Sequence, residues 1–519
     1  MILETRCVPE LPKLSWLATL DFDSGVVNVV HGTHVEKGED WLVEGVWDGA
    51  FESAEFHRSE NFFGSGIRIQ HETVFFVPSS ALIDRLVFCT LHNQLLVSNS
   101  VPLLLAATGA RLDPDHNYHL ESYAIVAGVR NYDKRFAVLH PDISFFMQQY
   151  EENIVVRGRE IAFESRTSKR DIGTFADYSR LLRTTLKVIE GNYTSSARRF
   201  AIAPYTAMST GYDSPAVSVL ARDIGVRTCF TSRRSTSGIP VWLSAQAAID
   251  DAKPIADRLG IDTIYLDPRR SQISDDELYF LATTTAPPEI IFHSMVKYFS
   301  KHCEVAMLFT GYHGDKVWDV HAAGKYLTDD LIRGDTSGLN LGEIRLLGGF
   351  IHVALPFMFA KSMGSIAAIS QSEEMSSWRI GTAYDRPIPR RIVEEAGVPR
   401  ELFGVRKKGA IFKYNYPLNK KLRNSFFQFV KEAYGVSRSV VYLVASAENT
   451  ATALVSLITR VKSVVLGGVA DPHPVIFSKR LDIARLMFLW AHASLADRLG
   501  AVLLKSGAIR MSGGADRTA

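Results

Sequence analysis

Two aspartates stand just after two apolar runs, each in a short loop of small residues. The first loop is Ser209-Thr210-Gly211-Tyr212-Asp213-Ser214, within "RRFAIAPYTAMSTGYDSPAVSVLARDIGV". The second is Thr310-Gly311-Tyr312-His313-Gly314-Asp315, within "VAMLFTGYHGDKVWD". A glycine in such a loop lets main-chain N–H groups converge on an anion. Asp213 and Ser214 fit the cap position of the helix continuing as "PAVSVLARDIG", with Pro215 in its first turn. The positive end of that helix then faces whatever the loop holds. Two carboxylates beside a bound triphosphate are what a hard cation such as Mg²⁺ takes from a protein. Two unrelated capped turns are the plainer alternative, since Ser, Gly and Asp are common turn residues.

The surrounding elements favour one site. After the first loop and its helix come a strand ("VRTCFTS"), a helix ("DDAKPIADRLGI") and a third strand ("DTIYLD"). This β-α-β-α-β order predicts a parallel sheet with right-handed crossovers. Ligands of such sheets bind beyond the carboxyl ends of the strands, where the Ser/Asp loop lies. If the run Val305 to Phe309 forms a neighbouring strand, Asp213 and Asp315 face one pocket.

The chain as a whole is long and rich in apolar residues. Its 519 residues predict two or three domains, and 46% hydrophobic against 22% charged residues permit a large core. A net charge of +2 gives no reason to expect nucleic acid or an acidic membrane surface. Cys7, Cys89, Cys229 and Cys303 are far apart, without CxxC or Cys/His clustering, which argues against a disulfide framework or structural zinc and for a reducing, cytoplasmic compartment. "MILETRCVPELPKLSW" lacks the basic and apolar regions of a secretion signal. The stretch "GGFIHVALPFMFAKSMG" is interrupted by His352, Pro356 and Lys361, so a buried helix is expected there rather than a membrane span. Texture divides the chain. Up to about residue 165 it consists of short β-type runs such as "GVVNVVHG", "TVFFVP", "RLVFCTL" and "NIVVRG"; from about 175 it alternates strand and helix and then forms long amphipathic helices. The polar end "SGAIRMSGGADRTA" reads as a frayed tail.

These motifs, in this order, carry a resemblance to the asparagine synthetase superfamily. "STGYDS" is similar to the SGGxDS pyrophosphate loop of PP-loop ATP pyrophosphatases, with Thr210 where Gly is usual. "TGYHGDKVWD" resembles that group's second loop, commonly SGxGxDExFGG. "YDRPIPRRIVEEAGVPRELFGVRKKGA" resembles its stretch ending in a Lys-x-Gly-Phe-like motif. "EGVWDGAF" and "NQLLVSNSVPLLLAATG" are like the course of its N-terminal glutaminase domain. The resemblance implies an α+β, degenerate Ntn-hydrolase-like glutaminase domain over 1–170. It implies an α/β PP-loop (HUP-type) synthetase domain with a parallel sheet and added helices over 171–505, and a flexible tail over 506–519. It also implies ATP and Mg²⁺ as cofactors. The loop Ser209, Thr210, Gly211, Tyr212, Asp213, Ser214 would hold pyrophosphate, together with Gly311, and Asp213 and Asp315 would bind the metal. The main chain around Phe230 and Thr231 would meet the adenine.

Departures from the family pattern narrow the expectation. Glutaminases of this type use a cysteine directly after the initiator Met as an N-terminal nucleophile. Here Ile2 stands there, and Cys7 lies inside the chain. The first domain is therefore expected to be a scaffold without glutaminase activity, as in β-lactam synthetases and lasso-peptide cyclases. In the β-lactam type a Tyr three residues before the metal-binding Asp works with a Glu some thirty residues later; Tyr312 and Glu343 stand at comparable places. A Tyr oriented by a carboxylate can accept the proton of an ammonium nucleophile. Tyr312 as a packed aromatic and Glu343 as a solvated helix residue are the plainer readings. In "VRKKGA", Lys407 matches the spacing of the family's charge-stabilising Lys, and Lys408 competes for the role by one residue. Lys316 replaces the usual Glu after Asp315, and Ala410 the usual Phe after Gly409.

The expected activity is ATP-dependent, AMP-forming amide-bond formation on a small-molecule or peptide carboxylate with an amine nucleophile, without glutamine hydrolysis. Ligation with ammonia or a free amine, and a degenerate nucleotide-binding scaffold, are the alternatives. Expected partners exclude nucleic acid and membrane and include a second copy or a pathway protein.

Overall fold

In the computed structural model the described residues are 1–118, 122, 124–233, 249–266, 275–282, 291–321, 331, 341–382, 384–404, 417, 419–466 and 481–509. The β-type runs of the first half pair into an eight-stranded and a six-stranded sheet, both antiparallel-rich. The eight-stranded sheet has one parallel edge pair, Ile2–Cys7 with Val26–His31. Side chains alternate across each strand. Trp16, Ala18 and Leu20 point between the two sheets, onto Leu42, Ile67, Val74 and Phe76 of the other. Leu17, on the opposite face, joins a second core with the helix Val101–Thr108. Strands the sequence patterns did not single out include Ile2–Cys7, Trp16–Asp21, Trp41–Trp47 and Arg135–Leu139.

The second half builds β1 (Ile202–Ala207), α1 (Asp213–Arg222), β2 (Thr228–Thr231), α2 (Lys253–Leu259), β3 (Asp262–Tyr265), α3 (Ile291–His302), β4 (Val305–Thr310), α4 (Gly342–Gly348) and β5 (Phe350–Ala354). The strands form a five-stranded sheet ordered β3-β2-β1-β4-β5, parallel throughout, as the alternation predicts. Helices cover both faces. Met307 and Phe309 of β4 join the core with α1, while Ala306 and Leu308 face α3. The chain is thus mixed α/β, with antiparallel-rich sheets first and a parallel sheet second.

One expectation is corrected. The stretch "GGFIHVALPFMFAKSMG" is not a buried helix: Gly349, at φ +68°, ends α4, and Phe350–Ala354 then pairs with Ala306–Thr310 as β5. A parallel strand buried on both faces is continuously apolar, so its pattern does not distinguish it from a buried helix. Two further helices bear on function: α5 (Pro387–Glu395), which packs on α1, and α6 (Ile483–Lys505). Among the described residues, α6 alone has the length and apolar composition to cross a membrane. Its Phe488, Leu489, Leu499 and Leu503 pack into the core of the eight-stranded sheet, and its Leu486, Trp490 and Leu495 pack on the helix Lys420–Tyr434.

Candidate functional site

Neighbouring strands β1 and β4 end side by side, with Tyr205 opposite Leu308 and Thr206 opposite Phe309. The direction of chain progression reverses between them, which opens a crevice at their carboxyl ends. Both Gly/Asp loops emerge there. The first closes on itself: the Ser209 N–H donates to Ser214 Oγ at 2.9 Å, and the Gly211 N–H donates to Ser209 Oγ at 3.3 Å. The capping differs from expectation. Tyr212 takes the cap position, Asp213 opens the helix, and Ser214 turns back to Ser209. Thr210, where the resembled motif has Gly, has a partner of its own. Its N–H and its hydroxyl both donate to Asp250 Oδ1, at 2.9 and 2.7 Å, and Asp250 is buried.

The second loop lies directly on the first. A Cβ on Gly314 would fall 2.4 Å from Asp213 Cγ, and one on Gly311 would fall 2.8 Å from the Ser214 nitrogen. Only residues without side chains permit this approach. Asp213 also accepts a hydrogen bond from the Arg386 guanidinium, which is 3% exposed. Arg386 Nε stands 3.7 Å from Asp319. Burial by itself would lower the Arg386 pKa, but Asp213, Tyr384 and Asp315 outweigh it and hold the guanidinium above its ordinary value. Lys316 bridges to Asp315 at 3.1 Å, which gives that departure from the family pattern a structural role. Two ion pairs, Asp213 with Arg386 and Asp315 with Lys316, therefore stand on the touching loops, with Asp319 beside Arg386; among the described residues no group of three or more His, Cys, Asp or Glu is placed to hold a metal ion.

Tyr212 does not face the crevice as a ligand-binding group. It is fully buried between Tyr384 and Phe403, its ring centre 4.8 and 6.0 Å from theirs, and its hydroxyl meets the Arg390 guanidinium. Gly404, at φ +68°, lies against the Tyr212 ring, and its N–H donates to the Thr210 carbonyl at 2.9 Å. Lys407, Lys408, Gly409 and Ala410 lie outside the described residues. Phe230 and Thr231, at the end of β2, are buried, and their carbonyls accept from Met208 and Leu266, both at 2.8 Å.

The pairing of Tyr312 with Glu343 is not the arrangement found. Tyr312 stacks on Phe292 at 6.3 Å and meets the His352 ring edge-on at 5.2 Å. Glu343, at the start of α4, is buried rather than solvated and turns to the first half of the chain. It accepts from the Ser100 hydroxyl at 2.8 Å and the Val101 N–H at 3.1 Å. Burial lifts its carboxyl to about 7, against the lowering influence of Ser100, Arg85 and Val101. Two residues on, Arg345 forms a bidentate pair with Glu44 at 2.6 and 2.9 Å and approaches Asp84 at 3.3 Å. Ser65 and Asn99 add donors to Glu44 at 2.6 and 3.4 Å. This buried network joins the two halves of the chain.

Arg386, Asp250, Asp319 and Arg390 are the members of the site that the sequence patterns did not single out. The sharpest local signal was Arg386-Pro387 opening a helix within "YDRPIPRR". The fold and the site define an α/β protein with an acidic and basic cluster at the switch point of a parallel sheet. In comparison with known proteins, no family model and no curated protein matches the chain.

Proposed function

We propose that the protein is an ATP-dependent, AMP-forming amide synthetase or cyclase of the PP-loop type, carrying a glutaminase-like first domain that serves as a scaffold. The observation that carries this reading is the contact of the two loops: Gly311 and Gly314 seat the second loop on Asp213 at the reversal of the parallel sheet. The donor set fits magnesium, because two hard carboxylates on touching loops, with phosphate oxygens and waters, make up its usual shell. When bound, that ion supplies charge neutralisation to the phosphates.

The chain's own residues supply the rest of the reading. Loop 209–214 and the start of α1 orient the phosphates. Arg386 and Lys316 neutralise charge beside them. Gly404 is anchored to the Thr210 carbonyl; Lys407 or Lys408, which lie outside the described residues, would on the resemblance supply the cation for the departing pyrophosphate. Tyr312, held by Phe292 and His352 rather than by Glu343, is the candidate proton acceptor for the amine that attacks the carboxyl-adenylate. In the first half, Cys7 ends an exposed edge strand, and the buried Glu44 carboxylate is paired with Arg345. An amine other than glutamine-derived ammonia therefore fits as the nitrogen source. The four free cysteines suit a cytoplasmic setting.

A second reading has its own observation. Asp213 is already paired with Arg386, and the Thr210 N–H with Asp250, as in a nucleotide loop retained for structure alone. The experiment that decides is a screen of carboxylates with ATP. AMP and pyrophosphate should form in equal amounts with amide, and Asp213→Ala should lower the rate a hundredfold or more. ADP and phosphate as products would refute the first reading, and an Asp213→Ala protein that keeps its cellular role would establish the second.

A further inference from the structure

The helix Arg438–Leu466 leaves a row of apolar side chains in water. One of its faces is packed: Val441 and Ala445 lie in the core with Phe426, Phe427, Leu486 and Trp490. Another face carries Val440, Leu443, Leu454, Val455 and Ile458, of which Leu443 is 71%, Leu454 58% and Ile458 47% exposed. Apolar residues scattered singly over a surface are ordinary, but a contiguous row marks a contact. From Val440 to Ile458 the sequence has one charged residue, Glu448, and it is buried.

The order of the row says what it fits. Val440, Val444, Ala447, Ala451, Leu454 and Ile458 follow one another at the alternating four- and three-residue spacing of a coiled-coil seam. Leu443 and Val455 flank it, one on either side. The seam reads alike from both ends, with two large residues, two alanines and two large residues. Turned about a two-fold axis midway between Ala447 and Ala451, a second copy sets the partner's Ile458 against Val440, the partner's Leu454 against Val444 and the partner's Ala451 against Ala447. Such self-complementarity is what a symmetric interface requires, and the alanines let the two helices approach closely at its centre. Antiparallel seating also opposes the two helix dipoles. A lipid surface fits less well, because helices that lie on membranes carry Lys and Arg along their polar face, and none stands between Arg438 and Arg460.

We propose that this face binds a second copy of the chain, the two helices lying antiparallel about that axis. At about 1.5 Å per residue the row is roughly 27 Å long. A helix pair of this length covers an area near the lower limit for a specific interface, about 1,000 Å² in total. The dimer should therefore form and dissociate in the micromolar range, with a monomer below it. None of these residues belongs to the nucleotide reading, so dimer formation is independent of it.

Sedimentation velocity of the full-length protein is the test. The wild type should pass from monomer to dimer as its concentration rises through the micromolar range. Leu454→Glu should weaken the dimer roughly a hundredfold, because each change enters a symmetric interface twice. Val440→Glu should weaken it as well, and Val440→Glu combined with Ile458→Lys should recover it, since antiparallel seating sets each new acid against a new base. Parallel helices would set like charges together, so a double variant that stays monomeric overturns the proposal. A dimer that Leu454→Glu leaves intact overturns it too. A wild type that remains monomeric at every concentration does the same, whatever becomes of the variants. If that monomer instead sediments with phosphatidylcholine vesicles, the row belongs to a lipid contact and the proposal fails.

Discussion

Gly314 has no room for a methyl group, because its Cβ would sit 2.4 Å from Asp213 Cγ and 2.7 Å from Asp213 Oδ1. Gly314→Ala must therefore push the second loop off the first. Overpacking of this kind costs about 1–3 kcal/mol, and the movement displaces Asp213 from Arg386. Gly191 is the contrasting case: it lies within the helix Phe175–Tyr193, and nothing stands within 4 Å of its added Cβ. Gly191→Ala should stabilise the protein by roughly 0.5–1 kcal/mol. Thermal unfolding and pyrophosphate affinity of the two variants give the comparison. Equal stability and equal affinity in both would show that the loop contact is not what shapes the site. The two aspartates were legible in the sequence because a Ser/Gly/Asp loop after an apolar run is a local signal. Arg386 was not, since it stands 173 residues from the carboxylate it pairs with.

Helix α4 joins the parallel sheet to the antiparallel sheets through two side chains two residues apart. Arg345 carries the ion pair with Glu44, and Glu343 accepts from the first turn of Val101–Thr108. Burial raises the Glu343 carboxyl from its model-peptide value of 4.5 to about 7, so the folded state holds a proton that the unfolded chain releases earlier. The sign follows: this contribution is complete below pH 4.5 and is lost as pH rises through 7. Its full size is on the order of 3 kcal/mol. Glu343→Gln, which stays neutral, should match the wild type near pH 5 and exceed it in melting temperature near pH 8. Parallel pH profiles for the two proteins would contradict the assignment. The expected partnership of Glu343 with Tyr312 was implied by the family resemblance and matched only by spacing along the chain, and spacing does not determine which neighbour a helix presents its first turn to. Tertiary packing turned that end of α4 toward Ser100.

At the scale of the whole molecule, the last long helix closes the core of the first sheet. Phe488, Leu489, Leu499 and Leu503 of α6 pack with Leu104, Leu105, Phe136 and Phe146. Each buried side chain of this size contributes roughly 1.5–3 kcal/mol, so their sum is comparable with the net stability of a typical domain, about 5–15 kcal/mol. A chain truncated before Asp482 should therefore lose its soluble monomer. Gel filtration and far-ultraviolet dichroism check this, and a truncated chain that stays monomeric and melts cooperatively would refute it. For the same reason the first half is not expected to fold when expressed alone. The texture change near residue 170 marks the passage from strand pairs to strand-helix alternation, and says nothing of which helix returns to cover which sheet.

The sequence by itself determined the local vocabulary of the protein: about half of the strands of the first half, the alternation that yields a parallel sheet, and the two loops that carry Asp213 and Asp315. Each depends on turn chemistry or side-chain period over a few residues, which the chain displays directly. Only the tertiary structure decided that β5 is a strand, because an apolar run buried on both faces has no period that separates strand from helix. It alone decided that Arg386 neutralises Asp213, that Asp250 holds Thr210, and that Glu343 belongs to the contact between the two halves. A buried charge takes whatever counter-charge the packed elements bring within reach, and that choice is made by the fold, across distances no short motif can encode.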